Sequence, residues 1–242
     1  RNHHEHLMSK RMRNLAGKKR SRKTRAKENK ALAMDIADAA DAFVGPTPYA
    51  GALRYIPQKQ KMTLRYAQKF KLSTSAGLAQ VHTFRANDLY DPDSSGAGHQ
   101  PRGFDQMMAL YDHFQVIGSK ARILASSEVQ SSLIGVTITD STATGTAYLD
   151  YLENNSENTT MGAIAQQQQP HHITLNYSQG KFFGTSALDD KYQGNSGSSP
   201  LDQAVYHVFT TAMDDLSTTV VDCVIIIDYI AIFTEPRNPV QS

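Results

Sequence analysis

KMTLRYAQKFKL, residues 61–72, is where the chain adopts a period of two. Met62, Leu64, Tyr66, Phe70 and Leu72 fall on one set of alternate positions, and Lys61, Thr63, Arg65, Lys69 and Lys71 on the other. Successive side chains of a strand point to opposite faces, so this spacing predicts a half-buried β-strand with a basic outer face. Further strand patterns follow it: LAQVHTFRA (78–86), FQVIGSKARILA (114–125), SLIGVTIT (132–139), HHITLNY (171–177), AVYHVFTTAM (204–213) and TVVDCVIIIDYIAIF (219–233). The last is apolar at both sets of positions, which predicts a central strand covered on both sides.

Polar, Gly- and Ser-rich connections separate these strands, notably residues 88–103, 140–170 and 184–200. Helical spacing interrupts them briefly. FDQMMALY places Phe104, Met107, Met108 and Tyr111 on one side of about two turns, a face expected to pack on a sheet, and TAYLDYLE is a weaker second case. Frequent strands without βαβ alternation describe an all-β antiparallel sandwich or barrel. The long connections and short helices favour a single jelly roll over an immunoglobulin sandwich.

Upstream the character of the chain is different. Residues 1–30 hold 12 of the 25 Lys and Arg and only Glu5 and Glu28 of the 23 acidic residues, a net charge of +10, which leaves −8 for the rest. KKRSRKTRAK (18–27) is the densest part, with no acidic residue and no aromatic one. Such a segment neutralises phosphates without stacking on bases, so it is expected to bind nucleic acid through the backbone and without reading sequence. The candidate phosphate-binding residues are Lys10, Arg11, Arg13, Lys18, Lys19, Arg20, Arg22, Lys23, Arg25, Lys27 and Lys30. The same run has the composition of a nuclear import signal. ALAMDIADAADAF (31–43) then places Leu32, Ile36, Ala39, Ala40 and Phe43 on one helical face, a short amphipathic helix stopped by Gly45 and Pro46 and able to extend back into the basic segment where a partner orders it. The expected division is a basic arm (1–30), a short helix and linker (31–59), a jelly-roll domain (60–237) and a tail (238–242).

Motifs for chemistry are missing. There is no G-x-x-x-x-G-K-[ST] loop and no G-x-S-x-G elbow, and in HHEH the helical spacing after His4 and Glu5 requires a second His where Met8 stands. Asp91-Pro92-Asp93-Ser94-Ser95-Gly96 imitates half a calcium loop, but Arg102 occupies the position of its bidentate Glu, so it reads as a polar turn. Asp189 and Asp190 are neighbours and would point apart on a strand. Asn154, Asn158 and Asn176 open N-x-[ST] triplets in polar surroundings. Cys223, the single cysteine, is expected in the core. Apolar runs are too short for a membrane helix. The expectation is a non-enzyme with no catalytic residue, no cofactor, no metal site and no membrane partner.

Three segments carry a resemblance. GHQPRGFDQMMALYDHFQVIGSKARI (98–123), VYHVFTTA (205–212) and IDYIAIFTEP (227–236) resemble the capsid proteins of small circular single-stranded DNA viruses that encode a replication initiator, the circovirus-like group. With the basic arm the likeness spans most of residues 10–237, and residues 98–123 are its most specific part. The resemblance implies a jelly roll whose copies close into an icosahedral shell of about 60 subunits, with the arms pointing inward on a single-stranded genome. It also implies assembly in the host nucleus through import receptors, and residence in the virion. Two other readings of the residues stand beside it: a secreted or surface jelly-roll trimer of lectin or cytokine type with an incidental basic tail, and a basic-tailed nucleic-acid regulator.

Overall fold

The computed structural model describes residues 56–127, 130–153, 158–165, 169–214 and 216–237. The basic arm, the helix expected over 31–43 and the tail 238–242 lie outside the described residues.

The strands form two antiparallel sheets. The long sheet is ordered β1 (Lys59–Ser73), β9 (Val220–Pro236), β3 (Tyr111–Ser127), β6 (His171–Ser178), with the two-residue β7 (Gln193–Gly194) also on β3. The short sheet is ordered β2 (Gln80–Arg85), β8 (Val205–Ala212), β4 (Ser132–Thr139), β5 (Thr159–Ile164). Among the described strands, β4 and β5 are the only consecutive pair bonded to each other. The other connections cross between sheets or skip a strand, and this wrap is the jelly roll expected from the sequence.

The alternation of β1 survives intact. Leu64, Tyr66, Phe70 and Leu72 are buried, and Lys61, Thr63, Arg65, Lys69 and Lys71 are exposed. β9 departs from expectation. It is central, paired with β1 from Lys59↔Thr234 to Ser73↔Val220 and with β3 as far as Ser127↔Val221. Yet only one of its faces is covered: Val221, Cys223, Ile225, Ile227, Tyr229, Ala231 and Phe233 are buried, whereas Val220, Val224, Ile226 and Ile232 are half-buried and Ile230 is 38% exposed. No described segment lies over that outward row. Apolar residues in both sets of positions therefore marked β propensity here, not two covered faces.

The strand covered on both sides is β8, whose eight residues are all buried. Its inward Tyr206 and Val208 join the core. Its outward His207 and Phe209 lie under the loop that carries α2 (Leu149–Leu152), where Tyr151 stacks on Phe209 at 4.9 Å between ring centroids and approaches His207 at 5.9 Å. Gly135 of β4 stands opposite Phe209 in the register. A Cβ at 135 would collide with the Phe209 ring, so the absence of a side chain there is what lets the ring lie flat.

β3 keeps its core face by a bulge. Phe114 and Val116 are buried at even positions, Ala121, Ile123 and Ala125 at odd ones, and the register with β9 shifts between Val116 and Gly118. The extra residue, Ile117, restores the inward set after one step of slip. α1 (Phe104–Leu110) lies before β3 and buries Phe104, Met107 and Met108, as its spacing predicts. Three labelled elements went unread, the two-residue β7 within the supposed 184–200 connection among them. β5 lies inside the supposed 140–170 connection because, of TTMGAI, only Ile164 is buried, a pattern too weak to announce an edge strand. α3 (Gln179–Phe182) is a single turn.

Polar atoms tie the sheets together. Tyr229 of the long sheet donates its hydroxyl to the Arg85 carbonyl of the short sheet at 2.7 Å, and Tyr206 of the short sheet donates to the Ser119 carbonyl of the long one at 3.2 Å. Cys223 is buried, and desolvation pushes its thiol up to about 12, with Asp222 adding to the shift. It is a core residue.

Two outcomes follow from the covered face of β8. Gly135→Ala should destabilise the fold by about 1–3 kcal/mol through overpacking, read as a lower urea midpoint, and Phe209→Leu in the same chain should recover part of the loss. His207 is held below the usual imidazole value by burial, partly offset by its bond to Ser141, and its Nδ1 is buried without a partner. Because the unfolded chain takes up a proton that the fold resists, this contribution is complete above the ordinary value of 6.5 and is lost progressively as pH falls from there through the lower value held in the fold. Thermal midpoints measured from about pH 7.5 to about pH 5 should decline, and His207→Gln, which retains a donor for Ser141, should decline less steeply.

Candidate nucleic-acid interface

All eleven arm residues expected to hold phosphate lie outside the described residues, so the charged groups that the structure places belong to the jelly roll. They are unevenly distributed. After residue 55 the sequence has twelve Lys and Arg and eighteen Asp and Glu, an acidic balance. Seven of the twelve cations, Lys59, Lys61, Arg65, Lys69, Lys71, Lys120 and Arg122, stand on the outward face of the long sheet; only Asp222 and Asp228 accompany them there. In the four strands of the short sheet Arg85 is the one Lys, Arg, Asp or Glu.

Strand pairing builds the outward face. The register sets Arg65 beside Asp228 and Asp228 beside Lys120, and sets Ala67 beside Ile226 and Ile226 beside Arg122. Asp228 therefore sits between two arginines: Arg65 Nε donates to Oδ1 at 2.6 Å and Arg122 Nη2 to Oδ2 at 2.5 Å. Lys71 Nζ is 3.5 Å from Asp222 Oδ1. Lys59, Lys61, Lys69 and Lys120 have no carboxylate within ion-pair reach among the described residues. At the free edge of β1 a cleft of about 660 Å³ is lined by Thr63, Leu64, Arg65, Ala67, His99 and Arg102. His99 is fixed there by a tilted ring contact with Tyr66 at 4.7 Å between centroids and by ring nitrogens 2.8 Å from the Gln100 carbonyl and 3.0 Å from that of Ala67.

Buried polar groups elsewhere are engaged in holding loops. Asp93 is fully buried; its oxygens accept from Ser95 N at 3.0 Å and Gln68 Nε2 at 2.7 Å and meet His82 Nε2 at 2.9 Å. Burial works to raise its carboxyl, and these bonds bring it below the usual value. With Gly96 at φ +72° the segment is the polar turn read from the sequence. Gln115 is also fully buried, donating to Gln179 at 2.7 Å and to the Ala187 carbonyl at 2.9 Å and accepting from Asp189 N at 3.2 Å, which fastens the 184–190 loop. Asp88 keeps a buried Oδ2 without a hydrogen-bond partner, and burial raises its carboxyl. Among the described residues no three His, Cys, Asp or Glu stand together as metal ligands, and no helix is long and apolar enough to cross a membrane.

Sequence reading found the basic half of this face in 61–71, where the alternation is regular. It missed Lys120 and Arg122, which join the face only through β9 and whose signal was the same alternation in SKARILA.

No family model matches the chain, and no curated protein matches it. Among solved structures, a chain of Desmodium yellow mottle tymovirus is 12% identical over 82% of this chain and 100% of its own, with a TM-score of 0.42. A chain from a semi-empty virus-like particle of the giant freshwater prawn Macrobrachium rosenbergii nodavirus is 8% identical over 81% and 97%, with a TM-score of 0.48. A deletion mutant of the Penaeus vannamei nodavirus capsid protein, in a T=1 subviral particle, is 6% identical over 70% and 98%, with a TM-score of 0.42. At these identities and scores the likenesses assign neither family nor activity.

Proposed function

We propose that this protein is a viral capsid protein whose jelly roll assembles with copies of itself into a closed icosahedral shell and whose basic arm packages a single-stranded DNA genome. The observation that carries this reading is the division of charge: twelve cations and two acids in residues 1–30, ahead of a net acidic body with a folded core. A charge block of that density needs a polyanion, and a jelly roll without catalytic motifs supplies a wall, not chemistry. Sixty arms of this charge bring about 600 positive charges inside the smallest icosahedral shell, enough to offset a substantial fraction of a short genome's phosphates. The role is structural and non-catalytic. Arm (1–30), linker (31–59) and shell domain (60–237) divide it, and the basic run also serves nuclear import on the way to the virion, in keeping with the resemblance to circovirus-like capsid proteins.

Negative-stain microscopy of the purified chain should show uniform closed shells; small trimers or the absence of particles would overturn the assembly reading. Binding of single-stranded DNA should weaken by roughly three to five powers of ten between about 50 and about 200 mM salt if about 6–10 phosphates are engaged. Replacing Lys18, Lys19, Arg20, Arg22 and Lys23 with Ala should lower that salt slope by about 0.7 per lost contact. If the substituted protein binds and packages DNA as the intact one does, the arm is not the packaging element.

A further inference from the structure

We infer that the outward face of the long sheet is a second binding surface for single-stranded nucleic acid, and that in the assembled protein this face is turned toward the packaged strand. The inference rests on the packaging reading but concerns different residues, in the shell domain and not in the arm.

The argument starts from position. From Lys59 to Lys71 the outward side chains of β1 form one row of roughly 40 Å at ~3.3 Å per residue. Five of its seven places are Lys or Arg; Thr63 and Ala67 are the others. Lys120 and Arg122 of β3 stand two strands away, roughly 10 Å across the sheet, with the aliphatic row of Val224, Ile226 and Ile230 between. The cross-section is a row of β1 cations and the Lys120–Arg122 pair flanking a floor that is aliphatic except at Asp222 and Asp228. Lysine stems are able to lie along apolar surface with their ammonium groups in water, and the floor is half-buried at Val224 and Ile226 and exposed at Ile230.

Charge selects the occupant. Asp228 is shared by two arginines and Asp222 by Lys71, so the face retains a net charge of +5, with Lys59, Lys61, Lys69 and Lys120 unpaired among the described residues. A second copy of the same face would bring like charge against like, and face-to-face self-association is disfavoured. An anionic membrane is a poor match, because the outward aliphatic surface is one narrow row, Val224, Ile226 and Ile230, interrupted by Asp228. A single strand fits: phosphates along the lysine row, base faces over the aliphatic floor, and a cleft with Arg65, Arg102 and His99 at the margin. With no aromatic side chain in the floor, base identity goes unread and the contact is one of charge.

The test uses the full chain and a labelled oligothymidylate, with the binding constant measured as a function of salt. Lys61→Gln, Lys69→Gln and Lys120→Gln together should reduce the slope by about 2, at about 0.7 per lost phosphate contact on a single strand, and by the same amount when the arm already carries Gln at residues 18, 19, 20, 22 and 23. Lys191→Gln, at an exposed cation of the 190–192 turn and outside the strands of the face, should leave the slope unchanged. If the face substitutions change nothing while the arm substitutions abolish binding, the second surface does not exist and the packaging reading stands. If both arm and face substitutions change nothing, the packaging reading fails as well. An equal loss per charge removed from the Lys191 control reduces the effect to net charge and overturns the proposal. So does a face that captures an acidic amphipathic peptide while the DNA slope ignores its lysines, since that assigns it to a protein partner.

Discussion

β9 is hydrogen-bonded along both edges, to β1 over residues 59–73 and to β3 over most of 111–127, and these two ladders fix which side of every long strand meets the core. The constraint is severe because β1 is amphipathic in the strict sense. A one-residue slip against β9 would exchange Leu64, Tyr66, Phe70 and Leu72 for Lys61, Arg65, Lys69 and Lys71 inside the sandwich, desolvating four unpaired charges. β9 adds to the correction only at Asp222 and Asp228, most of its other positions on both faces being apolar. The charged strand sets the register and the aliphatic one follows it.

The two sheets are closed in different ways. Between them, Tyr229 and Tyr206 reach across to carbonyls of the opposite sheet, so each large side chain contributes apolar area at its ring and a satisfied hydrogen bond at its tip. Outside them the treatment diverges. The short sheet has the Tyr151 loop over β8, with His207 and Phe209 shut beneath it, and carries almost no charge. The long sheet has nothing described over its centre and carries most of the cations. A body with one sealed neutral side and one open cationic side is polarised before any partner arrives.

How much of this could be read in the sequence depended on whether a segment was amphipathic. β1, β6 and α1 were legible because the solvent face and the core face use different residue types. β5 was not, since TTMGAI buries one side chain and borrows its strand conformation from β4. β3 was found but its bulge was not: VIGS breaks the alternation, and only the pairing with β9 shows that the break preserves the core face. β9 misled in the opposite direction, because valine and isoleucine favour extended backbone whether or not anything covers them. The cationic face was half visible for a related reason. Five of its members share one strand, whereas Lys120 and Arg122 become its neighbours only through a strand about a hundred residues further along the chain.

The lysines of β1 also answer a problem that every open sheet has. β1 is an edge strand of fifteen residues, long enough for its unpaired N–H and C=O groups to template the edge of another chain. Lysine heads along the row oppose that approach by repulsion and by the entropy lost in pinning them. The same repulsion acts within one molecule, however, and five like charges on alternate positions of one strand raise the energy of the free fold. β9 relieves this at Arg65 and Lys71 through Asp228 and Asp222, and leaves Lys59, Lys61 and Lys69 unrelieved. Were edge protection the whole purpose, one or two lysines would suffice, and acidic partners on β9 could balance the rest. Leaving them unbalanced makes sense where an external anion completes the site, because association then releases both the self-repulsion of the face and the counterions condensed on the strand that binds.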